Sequence, residues 1–272
     1  MSSGTEHSQL RLRPTNALVV GAGLGLGRAC ALTFAHAGAD VVCVDIDADR
    51  AASVAAEITA LGRRAHPVAV DILERGNIEH VVSEAIAALG GIDACVDVVG
   101  MAFRGDILDF DDETWDRNFA MNLRQSFRVT QLVARHMVDT KTRGSIVHVS
   151  SISAWDGHAN NGAYAAAKAG LNSLIRTASV ELGPHGVRIN GVAPGTIDTP
   201  RLHTDATADR RAALSRSVPM GYQGTPEDIA NLAVFLASDL AGYVSGQVIL
   251  VDGAVNNVFP LIDGKTWRPA EV

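Results

Sequence analysis

The chain has 272 residues, 47% of them hydrophobic, with 26 glycines, and its 23 Lys and Arg against 30 Asp and Glu give a net charge of −7. That length and apolar content supply a continuous core and exclude a disordered polypeptide. The acidic balance lacks the basic surplus that nucleic-acid or anionic-membrane binding requires, so the expected partners are small molecules, with no nucleic acid and no membrane.

In chain order, the polar segment 1–15 precedes no signal-type apolar block, and no later run holds eighteen uninterrupted apolar residues, so a cytoplasmic protein is expected. Seven β-branched runs follow: ALVV (17–20), VVCVD (41–45), HPVAVD (66–71), DACVDVV (93–99), SIVHVSS (145–151), VRINGV (187–192) and QVILVD (247–252). Several are apolar on successive residues, as strands covered on both faces are, and the segments between them repeat their apolar residues at helical period. Strand and helix in alternation predict an α/β fold, a doubly wound, Rossmann-like, seven-stranded parallel sheet with helices on both faces. With no linker, repeat or low-complexity tract, 1–272 reads as one domain. Residues 200–222 interrupt the rhythm as a candidate substrate lid, and 255–272 form a C-terminal extension.

Directly after the first strand comes GAGLGLG, residues 21–27, opening a helix pattern. Glycines there let the backbone turn tightly and approach a pyrophosphate at the helix N-terminus. Alone such a motif is weak, but Asp45 ends the second strand twenty residues beyond Gly25, where a carboxylate accepts hydrogen bonds from both adenosine-ribose hydroxyls and repels a 2′-phosphate. Neither Leu24 nor Ile46 offers a cation to such a phosphate, so the expected cofactor is NAD rather than NADP. The plainer reading of Asp45 is a solvated strand-end acid beside Asp47 and Asp49.

Tyr164 and Lys168 stand four apart in GAYAAAKAG, on one face if 161–183 is helical. A tyrosine of pKa about 10 is a poor base at neutral pH, and an ammonium roughly 5 Å away at effective dielectric about 20 supplies about 3 kcal/mol, or about two pKa units. The chain has only three lysines (Lys141, Lys168, Lys265) and three tyrosines, so this pairing is a poor candidate for chance. Cys30, Cys43 and Cys95 form no C-x-x-C pair and read as core, and the nine histidines show no ligand spacing, so no metal is expected.

On these residues the chain resembles the short-chain dehydrogenase/reductase family, of the single-domain type, over nearly its whole length. The family's T-G-x-x-x-G-x-G is matched by Val20, Gly21, Gly25 and Gly27, its Y-x-x-x-K by Tyr164 and Lys168, and its P-G-x-I-x-T by Pro194, Gly195, Ile197 and Thr199. SGQVILVDGA, residues 245–254, resembles its closing strand, the serine thirteen residues before the tyrosine is Ser151, and Asn122 in WDRNFAMNLRQSF matches its fourth active-site residue. The resemblance implies hydride transfer between an alcohol and a nicotinamide. Tyr164 would exchange a proton with the substrate oxygen and Ser151 would hold that oxygen. Lys168 would bind the nicotinamide ribose and depress the tyrosine pKa. Asn122 would hold a water, and Thr199 would orient the carboxamide. Asp71 and Ile72 match positions flanking adenine, and Gly21, Leu24, Gly25, Leu26, Gly27, Asp45, Ile46, Val98, Gly100, Tyr164, Lys168, Pro194, Gly195, Ile197 and Thr199 complete the expected cofactor site. It also implies a homotetramer, with the helices around 112–139 and 161–183 at one interface.

One departure stands out. Where the family carries N-N-A-G, this chain has Asp97, Val98, Val99 and Gly100. A buried Asp97 must find backbone N–H donors or an arginine, or stay protonated, and a carboxylate tying the sheet is favoured over a new catalytic acid. The leading function is an NAD-dependent oxidoreductase interconverting a secondary alcohol and a ketone. The alternatives are an NADPH-dependent 3-oxoacyl-carrier-protein reductase and a non-catalytic NAD-binding sensor or scaffold. Met101, Phe103, Trp155, Met220 and Tyr222 suggest an apolar substrate, whereas Arg201, His203 or Arg210 would meet an anionic one.

Overall fold

The computed structural model describes residues 15–258. The N-terminal tail up to residue 14 and the extension beyond residue 258 lie outside the described residues. Seven parallel strands form one sheet: β1 (Asn16–Val20), β2 (Asp40–Asp45), β3 (Ala65–Ala69), β4 (Ala94–Asp97), β5 (Ser145–Val149), β6 (Arg188–Pro194) and β7 (Val248–Val251). All seven match the runs expected from sequence, with ends shifted by one or two residues.

The spatial order is β3-β2-β1-β4-β5-β6-β7, which reverses direction between β1 and β4. Such a switch point leaves a crevice beyond the carboxyl ends of the strands, where ligands of open α/β sheets bind.

Period-two geometry divides each strand between two cores. Ala17, Val19, Val41 and Cys43 face α1 (Leu26–His36), α2 (Ala48–Ala60) and α9 (Pro226–Ala237). Leu18, Val20, Val42 and Val44 face α3 (Asn77–Leu89), α5 (Gln125–Asp139) and α6 (Gly162–Leu182). Continuous apolar runs arise because both faces are covered. Cys30, Cys43 and Cys95 are buried and unpaired within these layers.

Two local features position the crevice. A Cβ on Gly27 would fall 1.7 Å from the Gly21 carbonyl oxygen, so only glycine lets α1 start this close to β1. Between α4 (Asp112–Phe119) and α5, residues Ala120–Arg124 form a π-helical turn that carries Asn122. The expected lid is itself helical, as α7 (Pro200–Asp205) and α8 (Ala208–Ser217). Among the described residues no helix is long and apolar enough to cross a membrane.

Candidate active site

A cleft of about 870 Å³ opens at the carboxyl ends of β4, β5 and β6, lined in part by Gly100, Ser151, Tyr164, Gly195, Ile197 and Thr199. The loops after β4, β5 and β6 and the start of α6 converge there.

The 21 residues of α6 carry Tyr164 and Lys168 one turn apart, while Ala163, Ala167, Leu171, Ile175 and Ala178 bury the side that packs on the sheet. Its alanine-rich first turns favour helix, and the helix packs against β6 and the turn after β5. Lys168 is only 2% exposed, and its Nζ donates to the Val149 carbonyl at 2.8 Å and lies 5.8 Å from the Tyr164 ring centre. Burial pulls the Lys168 pKa down to about 8, against the opposing charge of Asp97.

Tyr164 departs from expectation. Its pKa is raised, because burial outweighs the lowering by the Ser151 hydroxyl and by the charge of Arg104. Burial penalises the charged form of each group, the phenolate of Tyr164 and the ammonium of Lys168.

Ser151 lies two residues past the end of β5, and its Oγ accepts from the Ser153 N–H at 3.1 Å, which fixes the hydroxyl at the start of the next turn. Asn122 is held by the chain on both sides of its amide. Its Oδ1 accepts from the Met101 N–H at 3.0 Å, and its Nδ2 donates to the carbonyls of Met101 (2.8 Å) and Asn118 (2.9 Å). The amide thus pins the loop after β4 against the π-turn. A Cβ on Gly100 would lie 2.9 Å from both Asn122 Oδ1 and Lys168 Nζ, so glycine there lets the two groups converge.

Asp97 is buried, and among the described residues no arginine serves it. Its Oδ2 accepts from Ser126 Oγ (2.7 Å) and Gln125 Nε2 (3.1 Å) and faces His148 Nδ1 at 3.0 Å, while Oδ1 accepts from the Val99 N–H at 3.2 Å. Burial pushes its pKa up, but His148, Ser126 and the Lys168 charge more than offset this and hold it below the usual carboxylate range. The backbone donor was expected, but the His148, Ser126 and Gln125 side chains were not. His148 Nε2 meets Thr130 Oγ1 at 2.7 Å, which extends the buried chain to α5.

At the other end of the crevice, Gly21 and Gly25 have φ of +86° and +56°, values that disfavour any side chain. No side chain caps α1, whereas α2, α4, α7, α8 and α9 are each capped by an Asp or Thr. The first turn of α1, from Leu26, therefore keeps N–H groups and positive dipole for an anion. The Asp45 carboxylate accepts from the Gly23 N–H at 2.9 Å and the Asp47 N–H at 3.0 Å, which sets it beside the glycine turn. Leu24 and Ile46 are exposed around it. This ensemble fits an adenosine diphosphate moiety.

Other expected positions are less committed to a ligand. Asp71 caps its own turn by accepting from the Leu73 N–H at 2.9 Å, and Ile72 is buried in the core. Val98 packs against the core of the opposite face, and Pro194 is the last, buried residue of β6. A Cβ on Gly195 would meet the Asp252 backbone at 2.7 Å, and Ile197 packs into the core while bridging Gly224. Thr199 caps α7 through the Leu202 N–H at 3.3 Å.

The lining corrects the apolar reading of the substrate space. Met101 belongs to it, but Trp155, Met220 and Tyr222 stand exposed elsewhere, and Phe103 lies under the Arg117 guanidinium, 4.1 Å from ring centre. Arg104, His158, Asn161, Arg201 and Arg210 line the cleft instead, and His203 is paired with Asp198 at 2.6 Å. Arg104 and Asn161 were not singled out from sequence, since both lie in irregular loops with no periodic pattern to place them.

Replacing Lys168 by methionine is expected to leave the fold at least as stable at pH 7, by about 1–2 kcal/mol, because a buried cation is exchanged for an apolar chain of similar length. Between about pH 8, where the folded lysine titrates, and about 10.4, where the unfolded one does, the unfolded state binds the extra proton. Wild-type stability from this group therefore rises with pH. The variant's advantage should shrink over that range, as denaturant titrations at pH 7 and pH 10 would read.

A family model described as enoyl-(acyl carrier protein) reductase matches residues 21–256. The 3-oxoacyl-[acyl-carrier-protein] reductase of Thermotoga maritima is 37% identical over 246 residues, covering 90% of this chain and 99% of that protein. An L-rhamnose 1-dehydrogenase (NAD(P)(+)) of a Sphingomonas species is 40% identical over 241 residues, covering 88% and 94%. Among solved structures, a 7α-hydroxysteroid dehydrogenase complexed with NADH and 7-oxo glycochenodeoxycholic acid superposes with a TM-score of 0.85 at 36% identity, covering 90% of this chain and 95% of that one.

Proposed function

The chain belongs to the short-chain dehydrogenase/reductase family, oxidoreductases acting on CH–OH groups with a nicotinamide cofactor, and from that premise we propose an NAD-dependent enzyme that interconverts a secondary alcohol and a ketone through Tyr164. The observation that carries this reading is that Ser151 and Tyr164 line one cleft, with the buried Lys168 behind its Gly100 wall and with its Thr199 against Gly25 of the glycine turn. We take the described residues as one catalytic domain.

The nicotinamide supplies the hydride acceptor or donor. Tyr164, whose raised pKa keeps it a phenol at neutral pH, gives its proton to a ketone oxygen and, deprotonated at higher pH, takes one from an alcohol. Ser151 steadies that oxygen by hydrogen bonding. Lys168 would hold the nicotinamide ribose, and Asn122 keeps Met101 in place near it. Gly21, Gly25, Gly27 and the uncapped turn of α1 receive the pyrophosphate. Asp45 takes the adenosine ribose, which favours NAD over NADP. Retention of all these groups speaks against a non-catalytic scaffold.

An NADPH-dependent reductase is the second reading. It is favoured by Arg50, whose Cβ lies close to Gly23 near the ribose position, although its guanidinium is paired with Asp47 at 3.1 Å. Initial rates over a panel of secondary alcohols and ketones, with NAD(H) and NADP(H) titrated separately, test both. The expected result is at least about a tenfold higher kcat/KM for NAD(H), reduced in Asp45→Asn. Saturation by NADPH at lower concentration than NADH would reverse the assignment.

The groove between α5 and α6, lined by Phe127, Ala134, Val138, Leu174 and Ala178, supports the expectation of a homotetramer through these helices. Three buried, unpaired thiols fit a reducing, cytoplasmic setting.

A further inference from the structure

The charge at the cleft mouth runs against the charge of the chain. On a protein of net charge −7, Arg104, Arg201 and Arg210 all line the cleft, and no carboxylate among the described residues joins them there. The three reach it from different elements: the loop after β4, the start of α7 and the first turns of α8. Arg201 is engaged locally, its Nη1 standing 2.8 Å from Met101 Sδ. Arg104 and Arg210 are exposed and make no ion pair of the kind that ties down Arg28, Arg50, Arg63, Arg64 and Arg128 elsewhere on this surface. Arg104 and Arg210, opposed by no acid among the described residues that line the cleft, form a field for an anion and a fork for its oxygens.

Asn161 adds a second, independent observation. It is 5% exposed and lines the same cleft; its Nδ2 donates to Ser153 Oγ at 3.2 Å, but its Oδ1 has no hydrogen-bond partner. A buried carbonyl left without a donor is costly, and a substrate hydroxyl or amide N–H would satisfy it. An apolar occupant would leave it orphaned.

We propose that Arg104 and Arg210 form an anion-recognition site for the substrate, which is a polar hydroxy or oxo compound bearing a carboxylate or phosphate on the side of its reacting carbon that faces α8. The proposal rests on the dehydrogenase reading of the cleft. It places the anion across from Ser151 and Tyr164, so the oxygen that exchanges a proton and the charge that orients the molecule are held by different groups. Arg104 then has two roles, since its charge also reaches Tyr164.

The test uses the full chain saturated with NADH and reads binding through the cofactor's fluorescence. Acetoacetate is compared with methyl acetoacetate, and dihydroxyacetone phosphate with dihydroxyacetone, so that the carboxylate and phosphate sources are separated. The charged member of at least one pair is expected to bind about tenfold or more tightly than its neutral counterpart. Arg104→Gln and Arg210→Gln, both at exposed positions, are each expected to reduce that preference severalfold and together to abolish it, with NADH affinity unchanged within about twofold. Equal binding of charged and neutral members, no binding by either anion, a preference that survives both substitutions, or variants that weaken NADH instead of the anion would each overturn the proposal. NADH failing to bind at all would bring down the dehydrogenase reading, and the anion site with it.

Discussion

Phenylalanine at position 164 is expected to lower kcat by about a thousandfold, within the roughly 10²–10⁴ that positioned proton transfer contributes, while NADH still binds. The substitution removes one oxygen from a partly buried ring on the long helix α6, so folding should be almost unaffected. Stopped-flow or steady-state rates with a substrate from the panel, beside fluorescence titration of NADH, separate the two effects. The pH profile supplies a further signature. Alcohol oxidation needs the phenolate, and burial raises the Tyr164 pKa above its ordinary value of about 10. Wild-type oxidation should therefore keep climbing with pH through the neutral and mildly alkaline range, and ketone reduction, which needs the phenol, should not. A Tyr164→Phe enzyme of undiminished kcat would remove the residue from the chemistry.

The second large effect lies beneath the cleft. Asp97→Ala is expected to destabilise the fold by about 3–5 kcal/mol, because it strips the partner from a buried charged network. Ser126, Gln125, the Val99 N–H and His148 would all lose their common acceptor, and the Lys168 ammonium would lose its counter-charge in the interior. Urea titration should show a lower midpoint at unchanged slope. Asp97→Asn keeps the shape and part of the hydrogen bonding, so its cost should be smaller, about 1–2 kcal/mol. Even so, the Lys168 pKa should drop below about 8, since the raising influence of Asp97 is gone. In the wild type, the stability Asp97 contributes is complete above the ordinary carboxylate pKa of about 3.9 and disappears as pH falls through its lower folded value. A stability of Asp97→Ala indistinguishable from wild type would show that the network carries no weight.

The sheet was legible because burial on both faces leaves an unmistakable mark: runs such as VVCVD and SIVHV cannot be amphipathic elements. Tyr164 and Lys168 were legible because helical period is a property of the sequence itself. The Asp97–His148 contact was not, although its cause is simple. In the parallel register Asp97 pairs with His148, so the two side chains are neighbours on one face of the sheet. That pairing depends on strand order and register, neither of which the spacing of 51 residues between them discloses. The direction of the tyrosine pKa was not legible for a related reason: distance to a cation follows from helix geometry, but the burial of the phenol that raises its pKa does not. Arg104 escaped notice because irregular loops carry no period, whereas Arg201 and Arg210 stood in a segment already marked by its break in rhythm.

The wide turn at Ala120–Arg124 bears on which changes of chain length this protein tolerates. It joins a helix whose Asn118 fastens the Phe103 backbone to one whose Val129, Val133 and Met137 seal the sheet. Each residue added to or removed from a helix rotates everything beyond it by about 100°. Deleting a single residue here would restore a regular spiral yet swing one of those two faces away from what it grips. Apart from Asn122, whose amide holds the loop after β4, it is the segment's count of five residues that acts as a gauge block, and a one-residue deletion there should cost more than one in an exposed loop.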